Sequence, residues 1–430
     1  MHDRRPIHAP TRSSAGFQRP RLSTLALRCW VILAFLTGCD AILHIEETKL
    51  VKAEKECSGP PVAATAGEPD GLGWWSGCAE ATGCFSVAAP TIADRLPGST
   101  SEVEPFFFAN AGTNIGTLDQ EGKLDGDAWQ RIGFDLDGVC SQSRTCGAVG
   151  TQGSCAPRLA NESPDGEYCR DNQLGLLQYS MESLSFGGEA FTAGSRELAC
   201  AYCRGDFSLL YKVSGYNGEA NDESVRVDLF PSLGRESRPQ LDCKTPHDLP
   251  ERCWAADDRW YIDAQYVDGG KVGEDLGKQD SRFYDPAAYV RDHWLIIRLP
   301  DNTPLGQVSH YADAASVLRL ALTQGIVAVY LQEGPDGWAG VRSLIGGRVR
   351  RTDVLHEVKR LGVCEETQPV LAAIAVSMVD SAADLLSNGS NSPDTMCDAI
   401  SVGISQRLGG RVTPGLITAA PEAPPSPCLP

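Results

Sequence analysis

Cysteine content is the feature that most restricts what this chain can fold into. Sixteen cysteines stand among 430 residues. That is too many for a chain kept reduced in a cytosol, so an oxidising compartment and a cross-linked fold are expected. Apart from Cys29 and Cys39 in the N-terminal leader, fourteen remain, an even number that fits up to seven disulfides. The closely spaced Cys78 and Cys84, Cys140 and Cys146, and Cys200 and Cys203 are disulfide candidates, and Cys364 and Cys397 read as bonded to each other across a helical stretch. Cys200-Ala201-Tyr202-Cys203 is a CxxC. A redox role would need a helix N-terminus to lower the thiol pKa, and a zinc role would need a second pair at ribbon-like spacing. The segment instead runs toward a strand-like stretch at 206–213 and no such second pair exists, so structural disulfides are the reading.

Composition adds two bounds. At 42% apolar, with 8 Trp, 12 Phe and 11 Tyr, the chain can bury a full core. A formal charge of −18 argues against a phosphate-binding surface, and therefore against a nucleic-acid partner.

The leader carries an address. Arg4, Arg5, Arg12, Arg19, Arg21 and Arg28 precede a short apolar run at 29–35, followed by Leu36-Thr37-Gly38-Cys39. A basic lead, a short apolar run and small residues describe a secretory signal; a membrane span would need about 20 apolar residues. Leu36-Thr37-Gly38-Cys39 resembles the lipobox of bacterial lipoproteins. The resemblance implies cleavage before Cys39, acylation of its thiol and amine, and a membrane partner reached through the lipid. Acyl chains contribute about 0.8 kcal/mol per buried CH₂, so two or three of them anchor stably. Loss of residues 1–38 would move the net charge from −18 to −23, because six Arg and one Asp leave. The acidic Asp40 leaves the choice open between the outer membrane and the periplasmic face of the inner one.

Periodicity divides the rest. Residues 39–104 read as a lipidated tether with a small Cys-containing piece, in which Trp74-Trp75 is a packing anchor. Residues 105–355 read as mostly β: runs at 106–109, 132–138, 209–213, 225–230, 260–267, 294–299, 325–331 and 341–349 alternate or are continuously apolar, separated by Gly/Pro/Asp loops. The runs at 209–213 and 225–230 flank the polar loop 214–223 as hairpin partners. Many short strands of this kind suggest an antiparallel β-sandwich or jelly-roll-like core. Residues 356–412 read as a small helical, Cys-containing segment packing on the sandwich. Helical spacing covers 353–361, and an amphipathic, Ala-rich stretch covers 369–386 with Pro369 in its first turn. Residues 413–430 read as a Pro-rich tail.

Few residues point to chemistry. Asp125 with Asp127, and Asp135 with Asp137, place carboxylates at i and i+2 beside glycine. Ca²⁺ takes six to eight oxygens from such loops. Neither stretch follows the EF-hand template, since Trp129 and Val139 stand where the next ligand belongs. Asx turns are the first reading; the alternative is a Ca²⁺ site outside the EF-hand pattern, drawing on Asp165, Asp171 or Asn172. No Gly-x-Ser-x-Gly elbow, paired-His motif or phosphate loop appears. His293 reads as a surface or core residue, and Arg204-Gly205-Asp206 as a coincidence. Arg342, Arg348, Arg350 and Arg351 read as an internally paired strand face, with docking to an anionic glycan as the minority reading. Scattered stretches, Thr37-Gly38-Cys39-Asp40, Phe134-Asp135-Leu136-Asp137-Gly138, 289–299 and 397–403, resemble surface lipoproteins of myxobacteria. That resemblance implies the address and a β core and brings no activity or active-site residue.

The expectation is a lipid-anchored envelope protein serving as a non-enzymatic binding or surface-structural module for a glycan or an envelope protein. An envelope hydrolase acting on glycan, or a subunit of an envelope assembly, are the alternatives. The cysteine arithmetic is checked by thiol titration of the denatured, unreduced mature chain: no free thiol is expected, and several would overturn the disulfide framework.

Overall fold

The computed structural model describes residues 74–78, 85–118, 124–141, 153–159, 163–186, 200–237, 253–308, 317–360, 362–420 and 428. Cys39, Cys84 and Cys146 lie outside these residues, as does the side chain of Cys78.

The chain is mainly β. Eight strands close on themselves: β3 (Phe106–Asn114), β5 (Ser208–Ser214), β6 (Asp222–Arg235), β8 (Tyr284–Arg291), β9 (Trp294–Arg298), β11 (Val317–Gly334), β12 (Gly337–Arg350) and β14 (Ala399–Arg411). The order around the ring is β6-β5-β3-β14-β12-β11-β9-β8, and β8 pairs back onto β6. Every one of these pairings is antiparallel. The closing ladder sets Asp222 opposite Val290, Val225 opposite Ala288 and Val227 opposite Asp285. The core is therefore a closed barrel, not the expected sandwich or jelly roll. Alternation along a strand marks two faces, and it reads the same whether the inner face meets a second sheet or the far wall of a barrel.

An eight-stranded barrel has an interior just wide enough for side chains to fill. Phe106, Phe108, Tyr211, Val213, Val227, Leu295, Ile297, Val329, Ile345, Val402 and Ile404 fill this one, all at most 4% exposed. Its polar centre is satisfied internally: Tyr211 Oη and Ser343 Oγ donate to Gln406 Oε1 at 2.9 and 2.8 Å.

The remaining elements lie outside the barrel ladder. They are β1 (Ser76–Cys78), β2 (Phe85–Val87), β4 (Cys155–Ala156), β7 (Arg259–Asp263), β10 (Thr303–Val308), β13 (Ser392–Met396), β15 (Thr413–Thr418), α1 (Gln173–Phe186), α2 (Arg351–Arg360) and α3 (Pro369–Ser381). They are needed because the outer wall is also apolar in two places. Ala109, Leu210 and Phe230 are covered by Trp254, Trp260, Ile262 and Ile417. Tyr289, Trp294, Ile296, Ala328 and Leu344 are covered by Trp75, Val87 and Phe134. Trp75 meets Trp294 edge-on at 4.9 Å between ring centroids, so the packing role expected of the Trp pair is what it performs.

Three sequence expectations change. β14 comes from the segment expected to be largely helical, in which 394–405 reads as a helical turn or a strand; it is the barrel strand between β12 and β3, and its Val402 and Ile404 face inward while Gly403 receives another segment. The tail is anchored: β15 pairs in parallel with β7, Ile417 is fully buried, and Cys428 is bonded to Cys364. Cys364 and Cys397 are not bonded to each other, because Cys397 is bonded to Cys155, 242 residues away along the chain, at a Cα–Cα distance of 5.3 Å. Cys140 is bonded to Cys169 and Cys203 to Cys253, so neither bonds to its close sequence neighbour Cys146 or Cys200. Cys200 is itself disulfide-bonded.

Two glycines let a segment lie flat on the barrel wall. A Cβ at Gly403 would overlap the Ile132 carbonyl oxygen, and one at Gly346 would press into the Phe134 ring. Gly403→Ala is expected to destabilise the protein by about 1–3 kcal/mol through this overlap. The expected readout is a lower urea midpoint with an unchanged slope; an unchanged midpoint would show that residues 132–133 do not bear on β14.

Candidate functional site

The segment that Gly346 and Gly403 admit carries the carboxylates on Asp135 and Asp137. Asp135 is pinned to β2: its N–H donates to Val87 O at 2.8 Å, and its carbonyl accepts from Ala89 N. A second segment, ending in α1, runs alongside. Asp171 N donates to Phe134 O at 2.9 Å, and Asp171 Oδ2 accepts from Leu136 N at 2.6 Å. Asp165 reaches the same place through Ser141, whose N–H donates to its carboxylate and whose carbonyl accepts from its N–H. Tyr168 and Cys169 both hold left-handed backbone, with φ of 59° and 61°. The Cys140–Cys169 disulfide clamps this bend to the first segment. The third contributor is Asp384, just beyond α3, which accepts from Ser401 N of β14 at 2.8 Å.

These segments enclose a small recess lined by Asp137, Asp165, Asp171, Asp384 and both cysteines of the Cys155–Cys397 disulfide. It has room for a single water-sized occupant. One oxygen from each of Asp135, Asp137 and Asp171 lies within 4.8 Å of the others. Two oxygens that share one ion at about 2.4 Å lie at most about 4.8 Å apart, so this spacing is within the range a shared ion allows. Among the described residues this is the one group of three or more His, Cys, Asp or Glu side chains drawn together closely enough to hold a metal ion.

Burial makes the ionised cluster unfavourable. Asp135, Asp165 and Asp171 are at most 8% exposed, while Asp137 and Asp384 are half-buried. Loss of water pushes Asp135 up to about 7; the Asp137 charge adds to this, and hydrogen bonds from Ser86 and Gly138 oppose it. Burial also pushes Asp384 up to about 7, against its hydrogen bonds from Ser401. Asp165 and Asp171 are held well above the usual carboxylate range by burial first and by the Asp137 charge second. Asp137 is raised by burial and lowered by Ser154, Val139 N and the Arg348 guanidinium.

The structure brings Asp135 and Asp137 together with Asp171, and Asp165 lines the same recess as Asp137 and Asp171. Asn172 is adjacent but braces the backbone instead. Its amide donates to Ile115 O, and its Oδ1 accepts from Gly403 N at 2.8 Å. Asp125 and Asp127 do not join. They form a separate turn, where Asp125 pairs with Arg131 and accepts from Asp127 N, and Asp127 accepts from Gln130 Nε2 at 2.7 Å. Their Asx-turn reading suffices. Asp384 has no counterpart among the sequence expectations, because an acidic residue after an Ala-rich helix carries no local sign that it will meet residues more than 200 positions earlier.

Other singled-out residues find internal partners. Arg204 pairs with Asp206, which closes the Arg-Gly-Asp sequence on itself. Arg342 lies over the Trp294 and Tyr330 rings, Arg348 donates to Leu136 O, Arg350 to Asn302, and Arg351 pairs with Asp380. His293 occupies the tight β8–β9 turn at φ 64° and stacks on Trp338. The chain matches no protein-family model, no curated protein and no solved structure.

The raised aspartates set a pH dependence for cation-free protein. An unfolded aspartate ionises near pH 4, whereas Asp135 and Asp384 keep their protons to about pH 7 in the fold. Between those limits the folded chain holds protons that the unfolded chain has released. The contribution of these two groups to stability is therefore fully present below about pH 4 and is lost as pH rises toward 7. Thermal melts in chelator across that range are expected to show a falling Tm. A rising Tm would mean that the cluster is neutralised by something other than protons.

Proposed function

We propose that this chain is exported through a lipoprotein signal, acylated at Cys39 and held at the cell envelope as a non-enzymatic binding or surface-structural module. The observation that carries the proposal is Leu36-Thr37-Gly38-Cys39 placed directly behind a short apolar run. Four disulfides among the described residues, joining Cys140–Cys169, Cys155–Cys397, Cys203–Cys253 and Cys364–Cys428, support an oxidising destination. No helix among the described residues is long and apolar enough to cross a membrane.

Two features favour binding or structure over glycan hydrolysis. The barrel interior is packed with side chains, which leaves the surface loops to present ligand-binding groups. The recess where carboxylates converge has room for about one water-sized group, whereas a glycosidase must place a sugar ring between its two carboxylates. A second recess, lined by Leu209, Tyr211, Leu229, Phe283 and Val327, is apolar and has no carboxylate in its lining.

The test is mass spectrometry of the protein made in a bacterium that matures lipoproteins. The expected N-terminal peptide begins at Cys39 and carries acyl mass, and Cys39→Ala leaves the protein unanchored. An unprocessed, acyl-free chain recovered from the cell interior would overturn the proposal.

A further inference from the structure

We propose that Asp135, Asp137 and Asp171, at the recess lined by Asp137, Asp165, Asp171 and Asp384, hold a Ca²⁺ ion that fastens the outer segments to the barrel wall. Such a site does not depend on the lipid anchor.

A cluster of acids alone would not carry this. The second observation is Ser154. It is 2% exposed, and its Oγ has no hydrogen-bond partner. The hydroxyl lies close enough to the Asp137 carboxylate to lower that group's pKa, and its chain neighbours Gly153 and Cys155 line the recess. A buried hydroxyl left without a partner costs about 1–3 kcal/mol. An ion coordinated by Asp137 gives that oxygen an acceptor's role, which no protein group supplies.

Size and donor type select the ion. Every candidate donor is oxygen, and both recess cysteines are tied in the Cys155–Cys397 disulfide, so the soft ligands that favour zinc are missing from the recess. Mg²⁺ dehydrates reluctantly and keeps several waters. Ca²⁺ accepts six to eight oxygens in irregular arrangements and uses carboxylates in one- or two-oxygen modes. Asp135, Asp137 and Asp171 bring three carboxylates together, and binding through two oxygens each would supply six. Arg348 offsets part of the Asp137 charge, and a divalent ion at the centre would offset the rest of the cluster far more effectively.

The carboxylates around the recess come from three parts of the chain. Asp135 and Asp137 lie on the segment bound to β2, Asp165 and Asp171 on the bend before α1, and Asp384 on the turn that hydrogen-bonds β14. An ion held by Asp135, Asp137 and Asp171 ties the first two together, so metal binding and the folding of this layer are linked.

The test uses the full mature chain, stripped with chelator and then titrated with CaCl₂. One Ca²⁺ per molecule is expected by calorimetry and by elemental analysis of the dialysed protein. Tm should rise by about 3–4 °C at a hundredfold excess over Kd, and chelator should reverse the rise. Asp137→Asn should abolish the uptake and the Ca²⁺-induced shift. In chelator it should melt at or above the wild-type temperature, because one buried charge has been removed. Asp125→Asn, in the separate turn, should bind as wild type does. Folded wild-type protein that takes up no stoichiometric Ca²⁺ would overturn the proposal, as would full uptake by Asp137→Asn. The wild-type stoichiometry decides the matter even where a variant does not fold.

Discussion

The β6–β8 ladder turns an eight-stranded sheet into a ring, and most of the structure follows from that closure. With both edges paired, no strand of the ring is left to recruit another chain, a hazard that open sheets must manage. The inner face has to be filled by its own side chains, and Phe106, Phe108, Tyr211 and the aliphatic residues opposite them do so. The outer face then becomes the only surface on which the rest of the polypeptide can be built. Its two apolar areas, around Phe230 and around Trp294, require cover, and the segments containing Trp260 and Trp75 supply it.

The outer layer is secured by covalent and polar means because it lacks a deep core of its own. Cys155–Cys397 lines the carboxylate recess, Cys140–Cys169 clamps the bend that leads from Asp165 to Asp171, and Cys203–Cys253 fastens the layer around Trp254. A cross-link between residues 242 apart removes on the order of 5 kcal/mol of unfolded-chain entropy in the loop-closure account. That contribution opposes the repulsion among aspartates brought together in the same layer. The disulfides hold the segments in place, and the charge balance at the recess sets how stable the layer is at a given pH and cation concentration.

Much of the barrel is legible in the chain. The runs around 209–213 and 225–230 pair as β5 and β6, and the apolar stretches at 294–299, 325–331 and 341–349 become β9, β11 and β12. Alternation with period two is a local property, so these strands can be read one at a time. β14 is less legible because glycines and serines alternate with its inward Val402 and Ile404, and such residues signal a strand only once the segment resting on them is known. α1 escapes sequence reading for a related reason: Leu174 and Leu177 bury only one short stripe, within a stretch otherwise dominated by strands. At the recess, Asp135 and Asp137 announce themselves by their i, i+2 spacing beside Gly138, and Asp165 and Asp171 can be suspected from their proximity in sequence. Asp384 cannot.

What the amino-acid order determined by itself was a mainly β, cross-linked chain with a full apolar core and a pair of acids poised for a turn or an ion. Those properties depend on residue type and short-range spacing. Tertiary structure alone decided that the sheet closes, which cysteines meet, and which acids share one recess. Each of those outcomes depends on contacts between residues tens to hundreds of positions apart. Such contacts form only after the strands have chosen neighbours, and no local pattern encodes that choice.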